Sequence, residues 1–337
     1  MILVTGGTGL VGSHLLFHLA SKSMPVRAIY RDAAKLDTVR KIFAFYTDEA
    51  DALFRQILWS EASLNDVPAL EEAFSGVTHV YHCAALISFD PGDFKALVRA
   101  NEIGTANVVN LCINHKVRKL CYVSSIAAFG KSPTNPQIDE DTEWQVADTN
   151  PYALTKHLAE MEVWRGTQEG VPAVIINPGV IIGPGYWDSG SGRLFRIAEM
   201  ESRFYPPGGS GFVSVGDVIR MMVQLMESEI ENEQFIAVQS NLSYRQVLSD
   251  IALALGRQVP SKQIPVWSLN FLWRLDWLGS LFGGRKRKLT KAQARSLTER
   301  SYYINDKACH QLGFEFTPLP QSIAFSAEKF RESNPSL

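Results

Sequence analysis

Residues 1–21 read MILVTGGTGLVGSHLLFHLAS. Met1 to Val4 is a short apolar run suited to a buried strand. Glycines follow at once, at positions 6, 7, 9 and 12. Leu10, Val11, Leu15, Leu16 and Leu19 then recur at helical spacing. Strand, glycine turn, helix is the order that gives such a motif its meaning. One glycine accepts backbone angles that other residues resist, and a second lets the backbone approach a pyrophosphate. A third lets the helix pack closely on the strand, so that its first amides face the phosphates. No Lys-Ser/Thr pair follows Gly12, so this is not a P-loop. The competing reading is an ordinary glycine turn. The flanking strand and helix favour a dinucleotide site.

The same alternation continues. Apolar runs at Val26–Tyr30, Gln56–Trp59, His79–Cys83, Lys119–Val123 and Ala173–Ile176 read as strands. Helical patterns at Val67–Phe74, Phe94–His115 and Tyr152–Gly170 lie between them. The expected fold class is α/β, a Rossmann doubly wound parallel sheet. Near Pro178 the chain turns glycine-rich and irregular, and a PPGG turn follows at 206–209. Helices are expected at Val215–Glu229 and Tyr244–Leu255, with a late strand at Gln234–Val238. The expected division is a nucleotide-binding domain over 1–177, to which 212–240 returns. Residues 178–211 and 241–337 form a smaller, partly discontinuous C-terminal substrate domain. Ligand is expected at the carboxyl ends of the strands.

The 337 residues carry 33 basic and 35 acidic side chains, 46% apolar residues and a net charge of −2. A sizeable core is expected, and disorder is excluded as the main state. No global basic field exists to hold nucleic acid. Cys83, Cys112, Cys121 and Cys309 form no CxxC pair, which speaks against a zinc ribbon and a disulfide framework. The acidic run 139–141 has no clustered histidine, so no metal is expected. His14, His18 and His115 read as structural. No secretory pattern precedes Met1, and a cytoplasmic, reducing location is expected.

Val266 to Phe282 reads VWSLNFLWRLDWLGSLF, and RKRKLTK follows at 285–291. The run is too short, and too interrupted by Arg274 and Asp276, to span a bilayer. An aromatic helix beside a basic cluster can lie on an anionic membrane. A helix apolar nearly all round is expected instead to pack as a lid over a substrate cleft, and this reading is favoured.

Tyr152 and Lys156 stand four residues apart in NPYALTKHLAE, on one helical face, with Pro151 suited to the first turn. A free phenol, with a pKa of about 10, is a poor base at neutral pH. A neighbouring ammonium is expected to lower that value and make the pair a proton carrier at a carbonyl or alcohol oxygen. Ser124 and Ser125 end the strand YVSS, where a hydroxyl can bond the same oxygen. Trp144 is a candidate to close over substrate or to pack on the surface.

Glycine motif, strand-end serine and YxxxK, in this order, resemble the extended short-chain dehydrogenases/reductases, the NAD-dependent epimerase/dehydratase family. Within it the chain is similar to the branch of dihydroflavonol reductases and 3β-hydroxysteroid dehydrogenases. The resemblance covers essentially the full length. TGGTGLVG matches the opening motif, HCAA at 82–85 the alanine-rich strand end, and ANEIGTANVV the NxxGTxN motif with Asn101. YVSSIAAFG aligns Ser125, rather than Ser124, with the catalytic serine. NPGVIIGPG resembles the loop over the nicotinamide. FVSVGDV at 212–218 departs at Ser214 and Gly216 from the typical FVDVRDV, which puts local contacts there in doubt.

The resemblance implies hydride transfer between a nicotinamide and a substrate carbon. Tyr152 exchanges the proton, Ser125 polarises the oxygen, and Lys156 tunes Tyr152 and holds the nicotinamide ribose. It implies cofactor contacts at Gly6, Gly9, Leu10, Val11 and Gly12, and at Ala84, Ala85 and Asn101. Pro178 and Val180 are implied near the nicotinamide, and Ser63 and Leu64 near the adenine. NAD-preferring relatives carry an acid at the end of the second strand; Tyr30 stands there, and Arg31 follows. Arg31, assisted by Lys35, suits a 2′-phosphate, so NADP is favoured over NAD, although Asp32 is placed to approach the ribose. The Trp-, Phe- and Leu-rich late region suits a small apolar ketone or alcohol. A nucleotide-sugar epimerase or dehydratase is the alternative, with Arg193 and Arg196 as diphosphate candidates. A non-catalytic NAD(P)-sensing protein is the second alternative; the complete Ser125, Tyr152 and Lys156 set speaks against it. Helices 94–115 and 152–170 are the pair through which a homodimer is expected.

Overall fold

The structure, a computed structural model, describes residues 1–130, 137–145, 150–283 and 289–334. Seven strands make the central sheet: β1 (Ile2–Thr5), β2 (Val26–Tyr30), β3 (Leu58–Glu61), β4 (His79–His82), β5 (Lys119–Val123), β7 (Ala173–Pro178) and β11 (Glu233–Ala237). All pairings are parallel, in the order β11-β7-β5-β4-β1-β2-β3. β1 pairs with both β2 and β4, so the chain reverses direction across the sheet at β1. A crevice opens at such a reversal, outside the carboxyl ends of the strands.

Side-chain alternation along the strands feeds two apolar layers. Val4, Cys121 and Val174 face α1 (Leu10–Ser21) and α9 (Val215–Glu227). Leu3, Leu120 and Ile175 face α4 (Val67–Ala73), α6 (Gly104–Asn114) and α7 (Pro151–Gln168). Leu15, Leu16 and Val163 are fully buried, and each such side chain contributes about 1.5–3 kcal/mol. α2 (Leu36–Phe43) and α3 (Ala50–Arg55) follow β2; α2 turns Val39, Ile42 and Phe43 inward.

The strand expected at Gln56 begins two residues later. The Gln56 and Ile57 amides instead close the end of α3, on Leu53 O at 3.1 Å and Phe54 O at 3.3 Å. The expected helix over 94–115 starts as α5 (Phe94–Leu97) and passes through a π-helical stretch, Val98–Ile103, before α6. Cys83 lies beyond β4. The four cysteines are unpaired. No helix among the described residues is long and apolar enough to cross a membrane.

A second body packs on the carboxyl side. β8 (Val180–Ile182), β10 (Gly209–Ser214) and β12 (Ser240–Ser243) form a three-stranded sheet in the order β12-β10-β8. Phe212 of β10 shares a core with Phe195 of α8 (Arg193–Glu199), Ile251 of α10 (Tyr244–Leu255) and Phe330 of α14 (Leu319–Ser333). Two short parallel pairs complete it: β6 (Gln137–Ile138) with β14 (Tyr302–Tyr303), and β9 (Phe204–Tyr205) with β13 (Lys262–Gln263).

In FVSVGDV, Ser214 takes over the N-cap of α9: its Oγ accepts the Asp217 amide at 2.9 Å. Asp217 is fully buried and accepts from Arg220, from Thr317 N at 3.0 Å and from Thr317 Oγ1 at 2.8 Å. It therefore ties α9 to the chain entering α14. Asp217→Ala strands the Thr317 amide, and the free energy of unfolding is expected to fall by about 3 kcal/mol. Urea denaturation measures this. A loss below about 0.5 kcal/mol, the range of neutral surface changes, would remove Asp217 from that role.

Candidate active site

The glycine turn closes against β4. Gly6 has φ +69°, and a Cβ there would stand 2.6 Å from the Ala84 amide. A Cβ on Gly12 would stand 2.2 Å from Gly6 O. A side chain at Gly6 would push the turn off the end of β4, and one at Gly12 would push α1 off the turn. Gly9 differs: a Cβ there would meet only Gly6 O, at 3.3 Å, so the space above it is open. Gly9 precedes α1 without a side-chain cap, which leaves the first-turn amides of Leu10 and Val11 facing that space. This uncapped cradle fits a pyrophosphate.

Residues from the neighbouring strand ends gather around it. Arg31 is exposed and makes no hydrogen bond or ion pair among the described residues. Asp32 caps the next turn, accepting the Ala34 amide at 3.0 Å. Its carboxylate is thereby turned to its own backbone. Leu64 is buried against Gly104, and Ser63 accepts the Asn65 amide at 3.4 Å. Ala84 is half-buried beside Gly6, Ala85 is exposed, Pro178 is the buried last residue of β7, and Val180 opens β8 half-buried. Asn101 sits in the π-helical stretch, 1% exposed. Its amide accepts from Leu86 N at 2.7 Å and donates to Leu86 O at 3.0 Å and Thr155 Oγ1 at 3.1 Å. It clamps the loop after β4 to α7, and both its donor hydrogens are used within the protein.

Asn150 caps α7 through the Ala153 amide at 2.8 Å. Tyr152, in the first turn, is buried beside Phe89, with ring centroids 5.8 Å apart. The two serines point to opposite sides of their strand end, as alternation requires. Ser125 Oγ lies on the side of the Tyr152 phenol, whereas Ser124 Oγ is buried and has no hydrogen-bond partner among the described residues. Ser125 Oγ accepts the Ala127 amide at 3.1 Å, which leaves its own hydrogen available to a neighbouring oxygen.

The phenol differs from expectation. Burial pushes the Tyr152 pKa up to about 12, and only the Ser125 bond opposes the rise. Lys156 does not lower it, because its Nζ is turned to β5. It donates to Tyr122 Oη at 2.6 Å and Val123 O at 3.0 Å, with the Tyr122 ring centroid 4.3 Å away. The phenol is therefore a proton donor at neutral pH. The acidification expected from the YxxxK spacing is overturned: burial outweighs a cation directed away.

Of the groups behind this pair the sequence reading included His82, in the HCAA strand end, and missed Glu160 and Asn177. His82 donates or accepts at Thr5 Oγ1, 2.6 Å, and at Thr105 Oγ1, 3.0 Å, and stacks on Tyr122 with centroids 5.2 Å apart. Burial pulls its pKa down to about 3, so it is a neutral spacer. Glu160 is 3% exposed and accepts from Asn177 Nδ2 at 2.6 Å. The same Asn177 nitrogen donates to Ser125 O at 3.2 Å. Glu160 lies one further turn along from Lys156, and that repeated spacing was the available signal. Trp144 stacks on His157 at 4.1 Å, a packing role. No cluster of metal-binding side chains occurs among the described residues.

The chain belongs to the NAD dependent epimerase/dehydratase family, whose model matches residues 2–237. It is an NAD(P)-dependent oxidoreductase of the epimerase/reductase superfamily. Sterol demethylase protein B of Methylococcus capsulatus is 29% identical over 273 residues, 78% of this chain and 77% of the relative. Dihydroflavonol 4-reductase of Dianthus caryophyllus is 24% identical over 278 residues, 78% of this chain and 75% of the relative. The fold matches the crystal structure of UDP-glucose 4-epimerase with UDP-glucose from Thermotoga maritima. That match has a TM-score of 0.77 and 21% identity, and covers 98% of this chain and 99% of that one.

Burial lowers the Lys156 pKa, and Glu160 is the largest influence opposing that fall. The other titratable groups around it are Tyr152 on its own helix, Tyr122 on β5, His82 on β4 and Cys83 just beyond β4. Glu160→Gln removes the charge that favours the ammonium while keeping an acceptor for Asn177. The Lys156 titration midpoint is then expected to fall by about one pH unit. NMR of 13Cε-labelled lysine, with Lys156→Gln assigning the resonance, reads it directly. An unmoved midpoint would contradict the coupling.

Proposed function

We propose that the protein reduces the carbonyl of a small apolar substrate with NADP, using Tyr152 as the proton donor. The observation that carries this reading is the phenol itself: buried, protonated at neutral pH, beside Ser125 and flanked by Phe89. Its hydrogen suits donation to a carbonyl oxygen as negative charge develops there. The Ser125 hydroxyl turns to the same oxygen. Lys156 gives two of its three ammonium hydrogens to Tyr122 and Val123 and keeps the third for the ribose, and the glycine cradle with Leu10 and Val11 holds the pyrophosphate. Ala84, Ala85, Pro178 and Val180 line the cofactor's path, with Leu64 and Ser63 toward the adenine and Asn101 bracing the loop. Bound nicotinamide supplies the hydride.

Arg31 supports NADP, being exposed and uncommitted while Asp32 is engaged as a cap. The apolar substrate is supported by Phe89 and by two relatives whose names concern a sterol and a dihydroflavonol. A nucleotide-sugar substrate is less well supported. Arg196 pairs with Asp188 at 3.1 Å and lies over Phe330, 5.2 Å from the ring centroid, so it is already engaged. In this reading residues 178–211 and 241–337 close over the substrate. The exposed Phe94, Ile103 and Met161 on the expected helix pair are suited to a homodimer. A cytoplasmic location accords with the four free cysteines.

Tyr152→Phe is expected to keep NADP affinity and to lose turnover of apolar ketones by at least about a hundredfold. Fluorescence titration and single-turnover absorbance separate the two effects, and retained turnover would end the proposal. Arg31→Asp is expected to weaken NADP at least about tenfold while leaving NAD affinity unchanged or improved. Equal losses for both dinucleotides would show that Arg31 does not read the 2′-phosphate.

A further inference from the structure

Among the described residues nineteen large apolar side chains are exposed, and ten of these fall in two neighbouring stretches. Three are Met200, Phe204 and Val259; seven lie between Val266 and Leu278, on α11 (Val266–Gly283). The stretches adjoin because β9 pairs with β13, placing Phe204 opposite Lys262. The Ser261 and Lys262 amides both donate to Arg203 O, at 3.0 and 2.8 Å. α11 begins just beyond β13.

A helix apolar all round was expected to bury itself as a lid. The structure packs one side only. Leu269 is buried and Trp273 and Asp276 are half-buried, four and three residues apart. The opposite stripe, Trp267, Phe271, Leu275 and Leu278, is exposed by 72%, 54%, 47% and 44%. An apolar surface of this kind, bordered by polar groups, marks an interaction site.

The charges around it have one dominant sign. Arg203, Lys262 and Arg274 are exposed among these side chains. Of the nearby carboxylates, Glu199 is paired with Arg257 at 2.6 Å, Glu201 accepts the Gln258 amide at 3.3 Å and Asp276 the Leu289 amide at 3.0 Å. The sequence then continues with Arg285, Lys286, Arg287 and Lys288, which lie outside the described residues. A second copy docking here face to face would bring like charges together. An anionic bilayer satisfies both features, taking tryptophan and apolar side chains at headgroup depth and basic side chains at its surface.

We propose that the outward stripe of α11, with the β9–β13 edge beside it, docks the protein on the surface of an anionic lipid bilayer. The contact is peripheral, with the helix lying in the interface plane.

Flotation of the full chain with phosphatidylcholine vesicles, with and without phosphatidylglycerol, tests this. Binding is expected on the anionic vesicles, at least about tenfold weaker on neutral ones, and reduced by added salt. Trp267→Ser with Phe271→Ser, and separately Lys262→Glu with Arg274→Glu, are each expected to weaken binding at least about tenfold. All four side chains are exposed, so Tm and NADP affinity should be unchanged, which shows that the variants fold. Absent or lipid-independent binding overturns the proposal, as do variants that float like the parent. Light scattering that shows a dimer dissociated by the Trp267/Phe271 variant also overturns it, in favour of a second copy. None of these readouts requires turnover.

Discussion

A lysine ammonium that is 1% exposed organises the centre of this molecule. Taking such a charge out of water costs several kcal/mol unless other groups replace the lost hydration. The Tyr122 hydroxyl and the Val123 carbonyl do so, and Glu160 adds an opposing charge from the next turn. The donors and acceptors come from different elements, so satisfying Lys156 locks α7 to β5. That lock sets the height of Tyr152 over Ser125. Asn177 then carries the constraint into β7, bonding both Glu160 and the Ser125 carbonyl. The geometry around the phenol is thus supported by a polar network whose main members are buried.

The cradle depends on a different constraint, backbone proximity. Gly6 and Ala84 are so close that β1 and the end of β4 share one surface. Thr5 reinforces the junction by accepting the Ala84 amide at 3.4 Å while its hydroxyl meets His82. His82 passes this contact to Thr105 and stacks on Tyr122. A continuous chain of small contacts therefore links the glycine turn to Lys156. A neutral imidazole suits that position, because a second buried cation beside Lys156 would be repelled.

Beyond the strand ends, the second body uses ordinary apolar packing around Phe212, Phe195 and Phe330. Asp217 ties it back to the sheet layer through Thr317. α11 departs from this pattern. Its buried contacts are few, and its outward side chains are apolar where the rest of the surface is mostly polar.

Sheet class and strand sites were legible in the sequence because short continuous apolar runs and glycine turns are local signals. Val26–Tyr30, Lys119–Val123 and Tyr244–Leu255 coincide with their expected limits. The joint presence of a glycine turn, Ser125 and Tyr152-x-x-x-Lys156 was legible for the same reason. Where the Lys156 ammonium points was not, because its partners lie on a strand more than thirty residues earlier. The protonation of Tyr152 was misjudged for that reason: spacing along a helix says nothing of burial or of a competing acceptor. Nor does an apolar helix disclose from its sequence which face its neighbours cover. The sequence by itself determined which residues meet on one strand or one helical turn. Only tertiary packing decided what is dry, which buried groups pair, and which apolar surface stays outside.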